Sequence, residues 1–128
     1  MATYLNNMTP SNHLIHFVTY NLHGFNQGIS YLDYLCSTNV ELILLQETWL
    51  NDDAFSRMFD DFSEKYILFC SSPMNACLST GILKGRPFGG LGILMRKEFY
   101  NAFRSVECLS AESNFICIKA DEILIINV

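Results

Sequence analysis

The chain has 128 residues, enough for one domain or a piece of one. Half of its residues are hydrophobic and 16% are charged, which excludes a wholly disordered chain. Eight basic residues stand against thirteen acidic ones, a net charge of −5. No general basic field can therefore hold nucleic acid, and any handling of phosphate has to come from a local site.

Residues 1–13 are polar, with Asn6-Asn7 and Pro10-Ser11-Asn12, and are expected to form a loose, disordered tail. They carry neither the basic n-region nor the apolar h-region of a secretory signal. Residues 14–20, LIHFVTY, are rich in branched and aromatic side chains and predict a strand. Ile29, Leu32, Leu35 and Cys36 recur at helical spacing and predict a short helix over 27–37, opened by Asn26 or Gln27. Residues 40–45 are apolar except for Glu41 and suit a strand buried on both faces. Asn51-Asp52-Asp53 opens a second helix, with acids near the positive end of its dipole and Phe55, Met58, Phe59 and Phe62 as its apolar face. Its carboxylates should face solvent, away from DNA.

Residues 66–70 predict the next strand, 71–88 a long loop and 90–95 another strand. Residues 102–109, 115–120 and 123–128 predict three more, the last two joined through Asp121-Glu122 as a hairpin. Strands first alternate with helices and then follow one another, which predicts an α/β fold with mixed sheets. Residues 14–128 read as one incomplete domain, truncated inside a strand at Val128. Residues 42–45 and 123–126 are the longest apolar runs and fall far short of the roughly 20 residues of a membrane helix. The cysteines number five, with no C-x-x-C pair. They suggest reduced thiols and an intracellular chain, with nucleus or cytoplasm unresolved, and they argue against zinc.

Asn21 and Glu47 each stand just beyond the carboxyl end of a predicted strand, where α/β sheets gather their ligands. One carboxylate beside one amide suits Mg²⁺, which keeps several waters and often takes only one or two protein carboxylates. On spacing alone, the Asn reads more readily as a turn residue and the Glu as a solvated one.

Three words occur in order: Thr19-Tyr20-Asn21-Leu22-His23-Gly24, Leu44-Leu45-Gln46-Glu47-Thr48-Trp49-Leu50 and Gly89-Gly90-Leu91-Gly92-Ile93-Leu94. Together they resemble the endonuclease/exonuclease/phosphatase superfamily over about residues 14–128. QETWL and the Gly-Arg-Pro-Phe-Gly-Gly lead-in look most like the endonuclease domains of non-LTR retrotransposons. The resemblance implies the N-terminal half of a four-layer α/β sandwich and a metal-dependent phosphodiesterase acting on DNA. It implies that Glu47 binds Mg²⁺ or Mn²⁺, weakly, and that Asn21 helps position the metal or the scissile phosphate. The glycines of the third word read as packing.

The family's later Gly-Asp-x-Asn and Ser-Asp-His motifs have no counterpart here, so the isolated chain is expected to be inactive. The alternatives are a non-enzymatic truncated gene product and a phosphatase-type member acting on inositol phosphates or lipids. Arg86, with Lys84, is a candidate phosphate contact on the long loop. Trp49 is a candidate base stacker or an apolar loop anchor, and His23 reads as a loop histidine. The apolar C-terminal strand is expected to self-associate.

Overall fold

The structure, a computed structural model, describes residues 2–5, 13–79, 81 and 85–128. Its elements are β1 (Ala2–Leu5), β2 (His13–Asn21), α1 (Phe25–Ser37), β3 (Leu42–Gln46), α2 (Asp52–Met58), β4 (Tyr66–Ser71), α3 (Met74–Ser79), β5 (Leu91–Arg96), α4 (Lys97–Ala102), β6 (Val106–Glu112), β7 (Phe115–Ala120) and β8 (Ile123–Asn127). A 3-10 helix, Asp60–Glu64, follows α2. The expected α/β class with mixed sheets is what forms. A five-stranded sheet runs β1-β2-β3-β5-β4, and a three-stranded sheet runs β6-β7-β8.

β2 and β3 are parallel and joined through α1, whereas the other pairs are antiparallel. β3 lies centrally, with a strand on each edge, and a separate core covers each of its faces. Leu42 and Leu44 enter a core shared with the second sheet, where they meet Ile93, Met95, Ile116, Ile118 and Ile125. Ile43 and Leu45 enter the opposite core, beneath Leu32 and Leu35 of α1, Phe55 of α2 and Phe59 at its C-cap. That two-sided burial is why the segment reads as an unbroken apolar run. The layer order is helices, sheet, sheet.

α1 begins at Phe25, ahead of the expected opening, with Gly24 at its N-cap and no side-chain cap. α2 is capped as expected, the Asn51 side chain accepting from the Ala54 N–H at 2.7 Å. Its apolar stripe continues into the 3-10 turn, and Phe55 stacks on Phe59 at 4.1 Å.

Three expectations change. Residues 2–5, expected to be loose, pair antiparallel with β2, giving hydrogen-bond partners to an edge that would otherwise lie open. The expected loop over 71–88 contains α3, whose Met74 N–H is received by Ser72 Oγ at 3.2 Å. The strand expected over 102–109 forms instead as β6, beginning at Val106. Ala102 ends α4, which turns Phe99 and Phe103 onto each other at 4.8 Å. Both missed helices have six residues, too short for a periodicity to show. No helix among the described residues is long and apolar enough to cross a membrane.

Candidate functional site

β2 and β3 run side by side and end together, Asn21 opposite Gln46 in the parallel register. Glu47 is the next residue, so the candidate amide and carboxylate emerge at one edge, at the carboxyl ends of both strands. Beyond this point three chain segments are stitched by main-chain hydrogen bonds. Leu22 donates to Gln46 O at 2.9 Å, Gly24 to Glu47 O at 2.8 Å and Phe25 to Thr48 O at 3.0 Å. Thr48 donates to Gly90 O at 3.1 Å and Trp49 to Gly89 O at 2.8 Å. The three words read from the sequence thus meet in space.

The backbone here is strained. His23, Glu47 and Trp49 have φ of 51°, 52° and 57°. Left-handed non-glycine residues cost on the order of 1–3 kcal/mol each and persist only where the surroundings over-determine them. The hydrogen bonds just described supply that constraint, around a Thr48 that is 1% exposed. Two glycines permit it. A Cβ on Gly90, at φ 88°, would meet Thr48 Oγ1, and one on Gly24, at φ 91°, would meet the Trp49 ring. The expected packing role of the third word's glycines is what the structure displays.

The Trp49 indole N–H donates to Glu47 Oε2 at 2.9 Å. Its ring lies 5.2 Å from that of His23, tilted by 51°. Neither a base stacker nor a plain apolar anchor describes Trp49 fully: it holds the half-buried carboxylate. The signal for this was an indole two residues after a glutamate in a turn. Asn21 is exposed, and its Oδ1 accepts from the His23 N–H at 2.9 Å, an Asx turn that fixes the strand end. Arg86 is exposed on the loop leading to Gly89, and no contact described places it against Glu47. Lys84 lies outside the described residues.

The donor set is one carboxylate and one amide at the mouth of a hydrogen-bonded turn. Among the described residues no group of three or more His, Cys, Asp or Glu is placed to hold a metal. A caged zinc site does not fit these residues. A hard cation that keeps most of its water and takes a single carboxylate does.

Sequence reasoning also passed over Asn127. It is 2% exposed, and its Nδ2 donates to Leu45 O at 2.9 Å and Gly92 O at 3.0 Å. Its Oδ1 accepts from Gln46 Nε2 at 2.5 Å. An amide ending an alternating strand on the inward side was the available clue.

No protein family profile matches the chain, and no characterised protein matches it by sequence. Its structure is similar to a 3'-5' exonuclease, NExo, from Neisseria meningitidis, with a TM-score of 0.57 at 16% identity over 88% of this chain. It is also similar to NExo from Neisseria described as a 3' phosphatase bound to product DNA hairpin, with a TM-score of 0.56 at 16% identity over 88% of this chain. The matched region spans 40% of the length of each of those chains. At this identity, what the chain shares with them is the α/β fold.

Proposed function

We propose that this chain carries the metal-binding half of a phosphodiesterase site of the endonuclease/exonuclease/phosphatase type, acting on DNA. The observation that carries the proposal is the stitched turn at the ends of β2 and β3. It brings Asn21 and Glu47 to one edge at the expense of three left-handed residues. The likeness of fold to enzymes described as an exonuclease and a DNA-bound 3' phosphatase supports the same reading.

Glu47 would hold Mg²⁺ or Mn²⁺, weakly, with Trp49 fixing one carboxylate oxygen and Asn21 offering its amide to the metal or the phosphate. When bound, such a metal polarises a phosphate oxygen and offsets developing charge. Hydrolysis also needs a positioned proton-handling group. His23 is the histidine of this cluster; it is exposed, its ring lies 5.2 Å from that of Trp49, and among the described residues no hydrogen bond orients that ring as a base. We therefore infer that the chain alone is inactive and that a further segment supplies the base. The QETWL wording supports an origin in the retrotransposon branch.

The test is nicking of supercoiled plasmid with Mg²⁺ or Mn²⁺. No activity is expected from the chain alone. Activity is expected after fusion to a family-type C-terminal half, and Glu47→Ala should abolish it. Nicking by the isolated chain that is lost in Glu47→Ala would refute the inactive-half reading.

Self-association is the second part of the proposal. On β8 and just beyond, Leu124, Ile126 and Val128 are 57%, 54% and 75% exposed, and one edge of β8 has no strand partner among the described residues. An apolar edge of this kind recruits other strands. Sedimentation should show concentration-dependent association that Ile126→Lys weakens. A monomer at high concentration would contradict it.

A further inference from the structure

We propose that Asn127 is a positioning residue for Glu47, acting across the interface between the two sheets; this rests on the reading of Glu47 as the metal-binding carboxylate. Asn127 belongs to the second sheet, yet its side-chain hydrogen bonds described here all end on the first. The Nδ2 group spans the carbonyls of Leu45 and Gly92, which face each other as the last pair of the β3–β5 ladder. The Oδ1 atom receives Gln46 Nε2, from the residue immediately before Glu47.

The location is what makes this more than core packing. Regular pairing between β3 and β5 stops at Leu45 and Gly92. From Glu47 onward the chain is left-handed at alternate residues, and from Gly90 backward the facing strand is left-handed too. A turn held against its own preference needs fixed points at its base. The main-chain bonds to Leu22, Gly24, Gly89 and Gly90 hold it above. Asn127 is the side chain that holds it below, where the strands would otherwise splay. An apolar residue of similar size would fill the volume but take the side-chain donor from the Leu45 and Gly92 carbonyls and leave Gln46 Nε2 with only its longer bond to Leu44 O at 3.4 Å. The carboxylate then inherits a fixed origin, and its indole partner at Trp49 fixes its far end.

The chain has a single tryptophan, so its indole N–H gives one assignable ¹H–¹⁵N resonance that reports on the Glu47 carboxylate without any need for activity. The experiment compares wild type, Asn127→Ala, Gln46→Met and Ile125→Val by ¹H–¹⁵N spectroscopy during Mn²⁺ titration. Gln46→Met removes the amide link while leaving Asn127 its two carbonyls, and it decides the matter if Asn127→Ala does not fold. Ile125→Val trims the same strand without touching the polar link.

In Asn127→Ala and Gln46→Met the indole resonance is expected to move and lose hydrogen-exchange protection. The Mn²⁺ concentration that half-broadens it is expected to rise roughly tenfold, as for other residues that orient a ligand. In Ile125→Val the resonance should stay in place while the urea midpoint falls. Indole resonances at the wild-type position in Gln46→Met and in any folded Asn127→Ala would overturn the proposal. If Mn²⁺ leaves even the wild-type indole untouched, the metal reading fails on its own. The movement of the indole resonance in Gln46→Met then still supports the positioning role, and its absence overturns it.

Discussion

Two carboxylates flank the same strand, and they are held in opposite ways. Glu41 precedes β3. Its Oε2 accepts the main-chain N–H of His16 at 2.8 Å and lies 3.5 Å from the imidazole Nδ1 of that residue. Its own main chain donates to His16 O at 3.0 Å and receives Arg96 N–H at 2.9 Å. Nearby, the Arg96 guanidinium donates to Thr38 O, reaches Tyr66 Oη at 3.4 Å and lies 5.8 Å from that ring's centroid. None of these residues has a positive φ. Glu47 follows β3, sits on a left-handed backbone among left-handed neighbours, and is held by an indole.

One end of the sheet spends its polar groups on closing the fold. The other bends the chain against its preference to present a carboxylate. Strain without a structural return is the physical mark of a site. A half-buried, paired carboxylate with relaxed backbone is the mark of a cap.

The strained end of β3 depends most heavily on Gly90. Gly90→Val puts a branched side chain at φ 88° against Thr48 Oγ1 and Leu50 O. We expect a loss of about 3 kcal/mol or more, combining left-handed strain with overpacking. Urea denaturation measures it, and a loss below about 1 kcal/mol would mean that the turn is not tightly determined. Next is Glu41→Ala, which leaves the His16 N–H without its acceptor and should cost about 1–2 kcal/mol in the same assay. Glu47→Gly should do the reverse. It removes one part-exposed hydrogen bond and relieves the left-handed backbone, so stability should hold or rise by up to about 1 kcal/mol.

The smallest effect concerns Cys36, close to Tyr66 and Arg96. Burial pushes its thiol from 9.0 up to about 11, with the hydrogen bond to Tyr66 opposing and the Asp33 charge adding to the rise. The unfolded thiol ionises first as pH climbs. Its contribution to stability is therefore whole below pH 9 and falls between pH 9 and about 11. Cys36→Ala should flatten that decline in a pH series of thermal melts. At pH 8, iodoacetamide should modify the exposed Cys108 well before Cys36 or Cys70, whose thiol burial and the Asp52 charge push up to about 12.

Much of the fold was legible because burial leaves a pattern. Residues 14–20 and 115–120 are branched and bounded by turn residues, and the latter forms a strand over the expected span. Residues 42–45, within the span expected as a doubly buried strand, read so because successive side chains face opposite cores. The short helices α3 and α4 left too little pattern, and Arg96 joins β5 directly to α4 with no loop to mark the boundary.

At the site, residue types were readable and relations were not. Asn21 and Glu47 could be placed at strand ends by counting. That Trp49 turns back onto Glu47 depends on three left-handed residues, which no propensity favours. That Asn127 reaches across to Leu45 and Gly92 depends on how two sheets stack, and no local pattern encodes it.

If Glu47, and not its counterpart at the other end of β3, is the metal-binding carboxylate, a bound paramagnetic ion must be felt at the Trp49 indole. Mn²⁺ titration followed at the Trp49 indole resonance tests this in wild type, Glu41→Gln and Glu47→Gln. Progressive broadening is expected in wild type and Glu41→Gln, and none at the same Mn²⁺ concentrations in Glu47→Gln. Equal broadening in all three proteins would contradict it.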